Sequence, residues 1–463
     1  LIVFPNGIPA CKPGFFYPLF PCHTVNIYIL AFVQQQKRYR FRNWAGNVKS
    51  VAKNYFQPQT EQEITETLTR SHKIRMVGTG HSWSDICASN HTLLNLDYYN
   101  NVLHLNKEKL QVKVQAGIKL WQLNEYLDKQ GLALKNLGSI ARQSVAGAIS
   151  TGTHGTGINF PVLAGQLEEF RLIKPDGSIL DIHHQKDKEL FNLAVINLGT
   201  LGVISEVTLN VVPSYQLLDQ TYVADLHEVI DNLDALVKET DHFKLWWFPH
   251  VDKVVVYRYT RTQQPPNDSR LRQWLMDEFL SVNVYRLLLR VGNLNREWRK
   301  NINRALVKKF IQPLIRTEKS YKVFNVPEPP VHREVEWAFD IGIAKDLLRE
   351  YTNMINASKH RINFIQEIRF TQGDEYALSP CFGRNTMWLG AYNADNFGWQ
   401  QLMKDFENLA VKYRGRPHWG KEFNISATYL KEQYPLFTRF NTLRQQLDPE
   451  GKLVNDYTER IFL

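Results

Sequence analysis

The chemistry of this chain is most legible where glycine removes bulk beside groups that bind or react. Gly78-Thr79-Gly80-His81-Ser82 follows Arg75-Met76-Val77, which reads as the end of a short strand. Glycine frees such a turn to take positive φ and to approach a ligand closely. Its successive N–H groups then face an anion, a pyrophosphate for example. The same motif also makes ordinary turns, and His81 alone is equally an ordinary hydrogen-bonded histidine, so support must come from elsewhere. Five glycines and six hydroxyl residues fall within 138–157, among them Gly138-Ser139 and the run from Ser144 and Gly147 to Gly152-Thr153-His154-Gly155-Thr156-Gly157. Val145, Ala148 and Ile149 imply buried backbone there, which must find hydrogen-bond partners. A large polar ligand against main chain would supply them; a flexible loop is the alternative. Gly199-Thr200-Leu201-Gly202-Val203-Ile204 is a third glycine turn, this one leading into a strand. Glu367-Ile368-Arg369 alternates, so Glu367 and Arg369 share one face of a strand. A carboxylate beside a guanidinium serves a reactive pocket or a structural ion pair.

The elements that must carry these groups read as α+β. Thr60 is placed to cap a helix with Glu63 closing a capping box, just before the first glycine turn. Strands are predicted at 93–96, 102–105 and 111–114, and a helix over 118–134 from Leu120, Leu123, Tyr126 and Leu127, stopping at Gly131. Residues 170–182 read as strand, turn and strand around Pro175-Asp176-Gly177-Ser178. No Gly-x-Gly-x-x-Gly sits between a strand and a helix with an acidic residue beyond it, so a Rossmann domain is disfavoured. The site is built from separated loops instead.

At 463 residues the chain is too long for one ordinary core, and 43% hydrophobic content makes it globular. Cys11, Cys22, Cys87 and Cys381 are scattered at no metal spacing, which argues against a metal site or disulfide framework and for a reducing compartment. Of the formal +10, most resides between Arg270 and Arg316, where 11 Lys/Arg face 3 Asp/Glu. Residues 267–316 read as two basic amphipathic helices: a solvated cover, a membrane-surface contact or a protein-binding face. No nucleic-acid reading motif accompanies the charge. The chain begins at Leu1, and residues 1–40 are expected to be an extension outside the domain sequence; prolines, His23 and Asn26 break the apolar run at 14–33.

These glycine motifs, with Leu245-Trp246-Trp247-Phe248-Pro249-His250, Leu378-Ser379-Pro380-Cys381-Phe382 and Arg416-Pro417-His418-Trp419-Gly420-Lys421, resemble the aldonolactone oxidases, the group of L-gulono-1,4-lactone and D-arabinono-1,4-lactone oxidases in the vanillyl-alcohol oxidase superfamily. The resemblance runs from about Phe41 to the C-terminus and weakens between about Arg261 and Lys322. It implies a two-subdomain FAD-binding domain over 41–215 and an α+β substrate domain over 216–463 whose antiparallel sheet covers the flavin, with the basic insert at about 267–316. The implied FAD contacts are Val77, Gly78, Thr79, Gly80, His81, Ser82, Gly138, Ser139, Ser144, Gly147, Gly152, Thr153, His154, Gly157, Gly202, Val203, Ile204, His418 and Lys421.

In many relatives the histidine matched by His81 is bonded to the flavin 8α-methyl, which retains the cofactor and raises its potential. Gly138 stands where relatives that exclude oxygen carry alanine, and so favours O2 as acceptor; an ordinary turn glycine is the alternative. The resemblance puts Glu367, Arg369 and Lys421 in the substrate pocket, the cations stabilising a developing alkoxide and Glu367 orienting hydroxyls. It implies oxidation of a sugar 1,4-lactone by O2 to ascorbate or an analogue and H2O2, with an alditol oxidase or a catalytically idle flavoprotein as alternatives. Gly390 and Tyr392 replace the histidine and threonine of alditol oxidases, which weakens that alternative. Animal members are membrane-associated, so a peripheral contact through the insert is expected.

Overall fold

The computed structural model describes residues 38–267, 282–311 and 313–462. The apolar run at 14–33, Cys11, Cys22 and the Trp274-Leu275-Met276 part of the basic insert lie outside the described residues. Three sheets dominate what is described, and the mixture is α+β as expected. A small parallel sheet holds Asn54–Phe56, Thr92–Leu94 and Ile74–Met76, with Thr92–Leu94 in the centre. The helix Glu61–Arg70 makes the crossover. Thr60 Oγ1 accepts from Glu63 N at 3.2 Å, while the Glu63 carboxylate reaches Gln59 N at 2.7 Å, one residue before the capping-box position. Ile64 and Leu68 pack with Ile74, Leu94 and Leu453 beneath the turn.

The second sheet is antiparallel, in the order Ile179–His183, Leu167–Ile173, Val203–Asn210, Gln111–Gln115 and Val102–Asn106. The predicted helix spans Leu120–Lys129 and stops before Gly131, whose φ of 75° turns the chain. The third sheet has eight antiparallel strands: Leu314–Lys319, Gln216–Asp225, Lys253–Thr262, His242–Trp247, Gln366–Thr371, Thr386–Asn393, Arg333–Asp340 and Arg416–Pro417. Its register sets Lys244 opposite Arg369 and Trp246 opposite Glu367, so alternation turns all four side chains to one face. On the other face Trp247 packs against Tyr351, and Tyr351 against Phe406, from the helices Ala344–Ala357 and Trp399–Lys412. Of the tryptophan pair, one is core and one lines the site.

The C-terminal segment returns to the first sheet, where Ile74 N donates to Lys452 O at 2.9 Å. Within the basic insert the described helices are Tyr285–Leu294 and Trp298–Ala305, the latter continuing as a π-helix over Leu306–Phe310. Arg299 departs from the solvated pattern: it is buried, pairs with Asp395 and donates to Gly292 O and Arg361 O. No helix among the described residues is long and apolar enough to cross a membrane.

Candidate active site

Two cavities meet at the opening motif. The smaller, about 130 Å³, is walled by Val77 to Ser82, by Ser144, Gly147 and Thr151, by Ala116, Gly117 and Lys119, and by Gly202, Val203 and Ile204. The larger, about 420 Å³, lies against the eight-stranded sheet. His81, Ser82, Gln143 and Thr151 border both, so one elongated ligand can run from one into the other. Five successive N–H groups, Gly78 to Ser82, find no protein acceptor among the described residues. Gly80 has φ 71°, and a Cβ at Gly78 would fall 2.6 Å from Ser144 Oγ. A side chain at Gly78 has no room, and the turn offers a row of free donors of the kind a pyrophosphate can use. Ser144 caps the short helix Val145–Ser150, accepting from Gly147 N; periodicity could not reveal a helix of six residues inside a glycine-rich stretch.

Arg75, read from sequence only as part of a strand end, ties two of the glycine turns together. It is 2% exposed and donates from all three nitrogens to Ile86 O, Leu198 O, Gly199 O and Leu453 O. Burial pulls its pKa down to about 10, so the guanidinium stays charged beside the cradle.

In the larger cavity Glu367 and Arg369 project together as alternation requires, with Arg369 Nη2 2.5 Å from Glu367 Oε2. Arg369 also donates to Ser139 Oγ at 2.8 Å, while its Nε is buried without a partner. Glu367 further accepts from Trp246 Nε1 at 2.9 Å and Lys244 Nζ at 3.4 Å. Burial pushes the Glu367 carboxyl up, but Arg369 and Lys244 outweigh it and hold the pKa at about 2. Burial likewise pulls the Lys244 ammonium down, against the attraction of Glu367. Lys421 Nζ lies 2.5 Å from Glu334 Oε2 and 4.0 Å from the Trp83 ring centre. His418 Nδ1 accepts from Gly420 N at 2.9 Å, and burial pushes its pKa to about 3. Burial opposes the charge of Glu336, yet His154, Lys421 and His418 hold its carboxyl well below the usual range. Sequence alternation could have flagged Glu334 and Glu336 on their strand, but nothing in one sequence pairs them with residues more than 80 positions away.

Gly138 and Ser139 line the same cavity with Thr153, His154 and His418. Two predicted contacts do not line either cavity. A Cβ at Gly152 would face Ile196 and Pro380, and one at Gly157 would strike Asp241 O at 2.6 Å. Gly157 N donates to Phe370 O at 2.7 Å, so this glycine joins the loop to the eight-stranded sheet. At Gly390 the space of a side chain is filled by the Tyr392 ring, 2.4 Å from where a Cβ would stand.

Comparison with known proteins agrees with this architecture. The L-gulonolactone oxidase of Mus musculus is 34% identical over 444 residues, covering 93% of this chain and 100% of the relative. That of Scyliorhinus torazame is 30% identical, covering 92% and 98%. The crystal structure of cholesterol oxidase from B. sterolicum superposes with a TM-score of 0.79 at 15% identity, covering 92% of this chain and 97% of that one, a likeness of fold. Residues 52–183 match the FAD binding domain, the part that carries the donor cradle, and FAD is the cofactor. With residues 207–461 matching the D-arabinono-1,4-lactone oxidase model, the chain belongs to the D-arabinono-1,4-lactone oxidase family.

Proposed function

We propose that this protein oxidises a sugar 1,4-lactone at a ring carbinol, with O2 as the final acceptor and H2O2 as co-product. L-Gulono-1,4-lactone, the substrate class in its relatives' names, would give a product that tautomerises to ascorbate. The observation that carries the reading is the partly unpaired Arg369 beside an ionised Glu367, on a cavity that continues into the donor cradle. Accepting hydride from carbon and passing electrons to O2 is the chemistry FAD supplies when bound.

In this reading Gly78, Thr79, Gly80, Ser82 and Ser144 hold the pyrophosphate end, and Gly138, Ser139, Thr153, His154 and His418 surround the ring system. His81, at the junction, is the covalent link. Arg369 and Lys421 stabilise the alkoxide that develops as the hydroxyl loses its proton, in a site where few waters compete. A carboxylate held at about 2 is too weak a base to take that proton, so Glu367 accepts hydrogen bonds from the lactone hydroxyls and fixes Arg369. Domain boundaries are proposed near 41 and 216, the latter where the chain enters the eight-stranded sheet. The basic insert is proposed as a peripheral membrane contact.

Peroxide release with a lactone panel, set against a polyol panel, tests the activity. Turnover of lactones supports it; turnover of polyols alone would replace it with an alditol oxidase. Flavin that stays with acid-precipitated protein supports the His81 bond, and a colourless pellet would remove it.

A further inference from the structure

Glu328 has no part in the mechanism above, yet it touches the one histidine that the mechanism treats as an anchor. It sits in Pro327-Glu328-Pro329-Pro330, where three prolines restrict the backbone, at the wall of the larger cavity. Its Oε1 is 3.1 Å from His81 Nε2 and 3.2 Å from Arg142 Nε. The other ring nitrogen of His81, Nδ1, is 2.9 Å from Thr79 Oγ1. Trp44 lies nearly parallel to the imidazole at 6.1 Å. A carboxylate is acceptor-only, so Nε2 carries the proton and donates to Glu328. Nδ1 is left with its lone pair, which the Thr79 hydroxyl meets as a donor.

Resting on the reading of His81 as the flavin link, we propose that Glu328 is the positioning residue for that linkage: it selects the tautomer in which Nδ1 is the nucleophile and takes the Nε2 proton as the bond forms. In the step, a bond from Nδ1 to the isoalloxazine methyl carbon replaces one C–H bond. One proton leaves the methyl and one leaves Nε2 for Glu328. The electron pair of the broken C–H bond passes through the ring to O2, which departs with both protons as H2O2. The oxidase chemistry of the reading already supplies O2, so no further reactant is needed. Arg142 keeps the carboxylate oriented, and Lys421 nearby further disfavours a doubly protonated ring. Glu328 lies between the strands Leu314–Lys319 and Arg333–Asp340 of the eight-stranded sheet, whereas His81 follows the parallel sheet, so the bond forms only once the two are packed together.

The test uses the full chain purified with FAD, wild type and Glu328→Gln, in air. It follows the fraction of flavin that stays with acid-denatured protein over time, alongside visible absorbance and the thermal midpoint of the native complex. Glutamine can still accept from Nε2 but cannot take its proton. We expect the variant to bind FAD and melt as the wild type does while its linkage slows by about a hundredfold, the low end of a positioned base's contribution. Glu328→Asp, which restores a carboxylate, recovers part of the rate. Linkage at the wild-type rate in Glu328→Gln would overturn the proposal and leave the His81 reading standing. Loss of FAD binding or of the fold in both variants would also overturn it, by making Glu328 merely structural. Unlinked flavin in the wild type would sink the His81 reading and this proposal with it.

Discussion

Glu367 and Arg369 pair at the wall of the larger cavity, and their partners say what each is free to do. Glu367 accepts from Arg369 at Oε2 and from Trp246 and Lys244 at Oε1, which leaves one direction of Oε2 for a lactone hydroxyl, and Arg369 keeps one buried N–H for a ligand. Glu367→Gln removes the charge that fixes both cations, and Arg369→Lys replaces a planar fork with a point charge. Each should lower kcat by about 10²–10³-fold, and Glu367→Gln, which leaves two buried cations without their carboxylate, should also lower the thermal midpoint. A fall in KM effects alone, with kcat intact, would count against the alkoxide role. Gly138 is tested separately. A methyl there would meet His154 O at 3.1 Å and Thr153 Cγ2 at 3.5 Å, and no positive φ forbids it, so Gly138→Ala should fold. Stopped-flow measurement is expected to find reoxidation by O2 slowed and reduction by substrate largely intact. Equal slowing of both half-reactions would remove Gly138 from control of the acceptor.

Among elements, the glycine turns hold their shape through groups outside themselves. Arg75 satisfies four carbonyls from three segments, and no other side chain offers five donors in a fixed fork. Arg75→Lys should therefore cost about 2–4 kcal/mol by denaturant unfolding, from carbonyls left unpaired in a buried place, and should lower FAD retention. Gly157 plays the complementary part at the other sheet. Its φ of 121° and the 2.6 Å approach to Asp241 O make alanine strained by about 1–3 kcal/mol. Because Gly157 stands off the cavities, Gly157→Ala should be less stable yet keep its flavin, the reverse of a cradle defect. A selective loss of flavin at unchanged stability would return Gly157 to the ligand.

Two buried histidines contribute to the acid response of the whole molecule. His242 is fully buried with its Nδ1 on Thr156 O at 2.7 Å, and burial pushes its pKa to about 4; His418 is pushed to about 3. In the unfolded chain both titrate near 6.5. Below that pH the unfolded state binds protons the folded state does not, so stability present above about pH 6.5 is lost progressively down to pH 4 or 3. Each histidine should cost about 2 kcal/mol at pH 5 relative to pH 7. Burial raises the Asp374 carboxyl to about 7, so Asp374 acts in the opposite sense over the same window and the histidine contribution is read as a difference. Melts of His242→Gln against the wild type should show a loss from pH 7 to pH 5 smaller by about 2 kcal/mol; an unchanged loss would remove His242 from the account. On the outside, Leu287, Leu294, Trp298 and Phe397 are exposed on or near the basic insert, with Arg296 stacked 3.4 Å over the Phe397 ring. Apolar groups set among cations suit an anionic surface. The protein should sediment with phosphatidylserine vesicles at low salt and be released as salt rises; equal binding to neutral vesicles would refute an electrostatic contact.

What the sequence determined alone was local. Glycine spacing exposed the turns at 78–82 and 199–202, Thr60 and Gly131 bounded helices, and alternation put Glu367 and Arg369 on one face, because each depends on neighbours a few bonds away. Tertiary structure decided the pairings: Lys244 with Glu367, Glu334 with Lys421, Glu328 with His81, and Arg75 across three segments. It also set Gly152 and Gly157 among protein groups, Ile196 and Pro380 beside one and Asp241 O beside the other. Sheet register and chain return bring together groups 378 positions apart at Arg75, and no local periodicity encodes which carboxylate meets which cation.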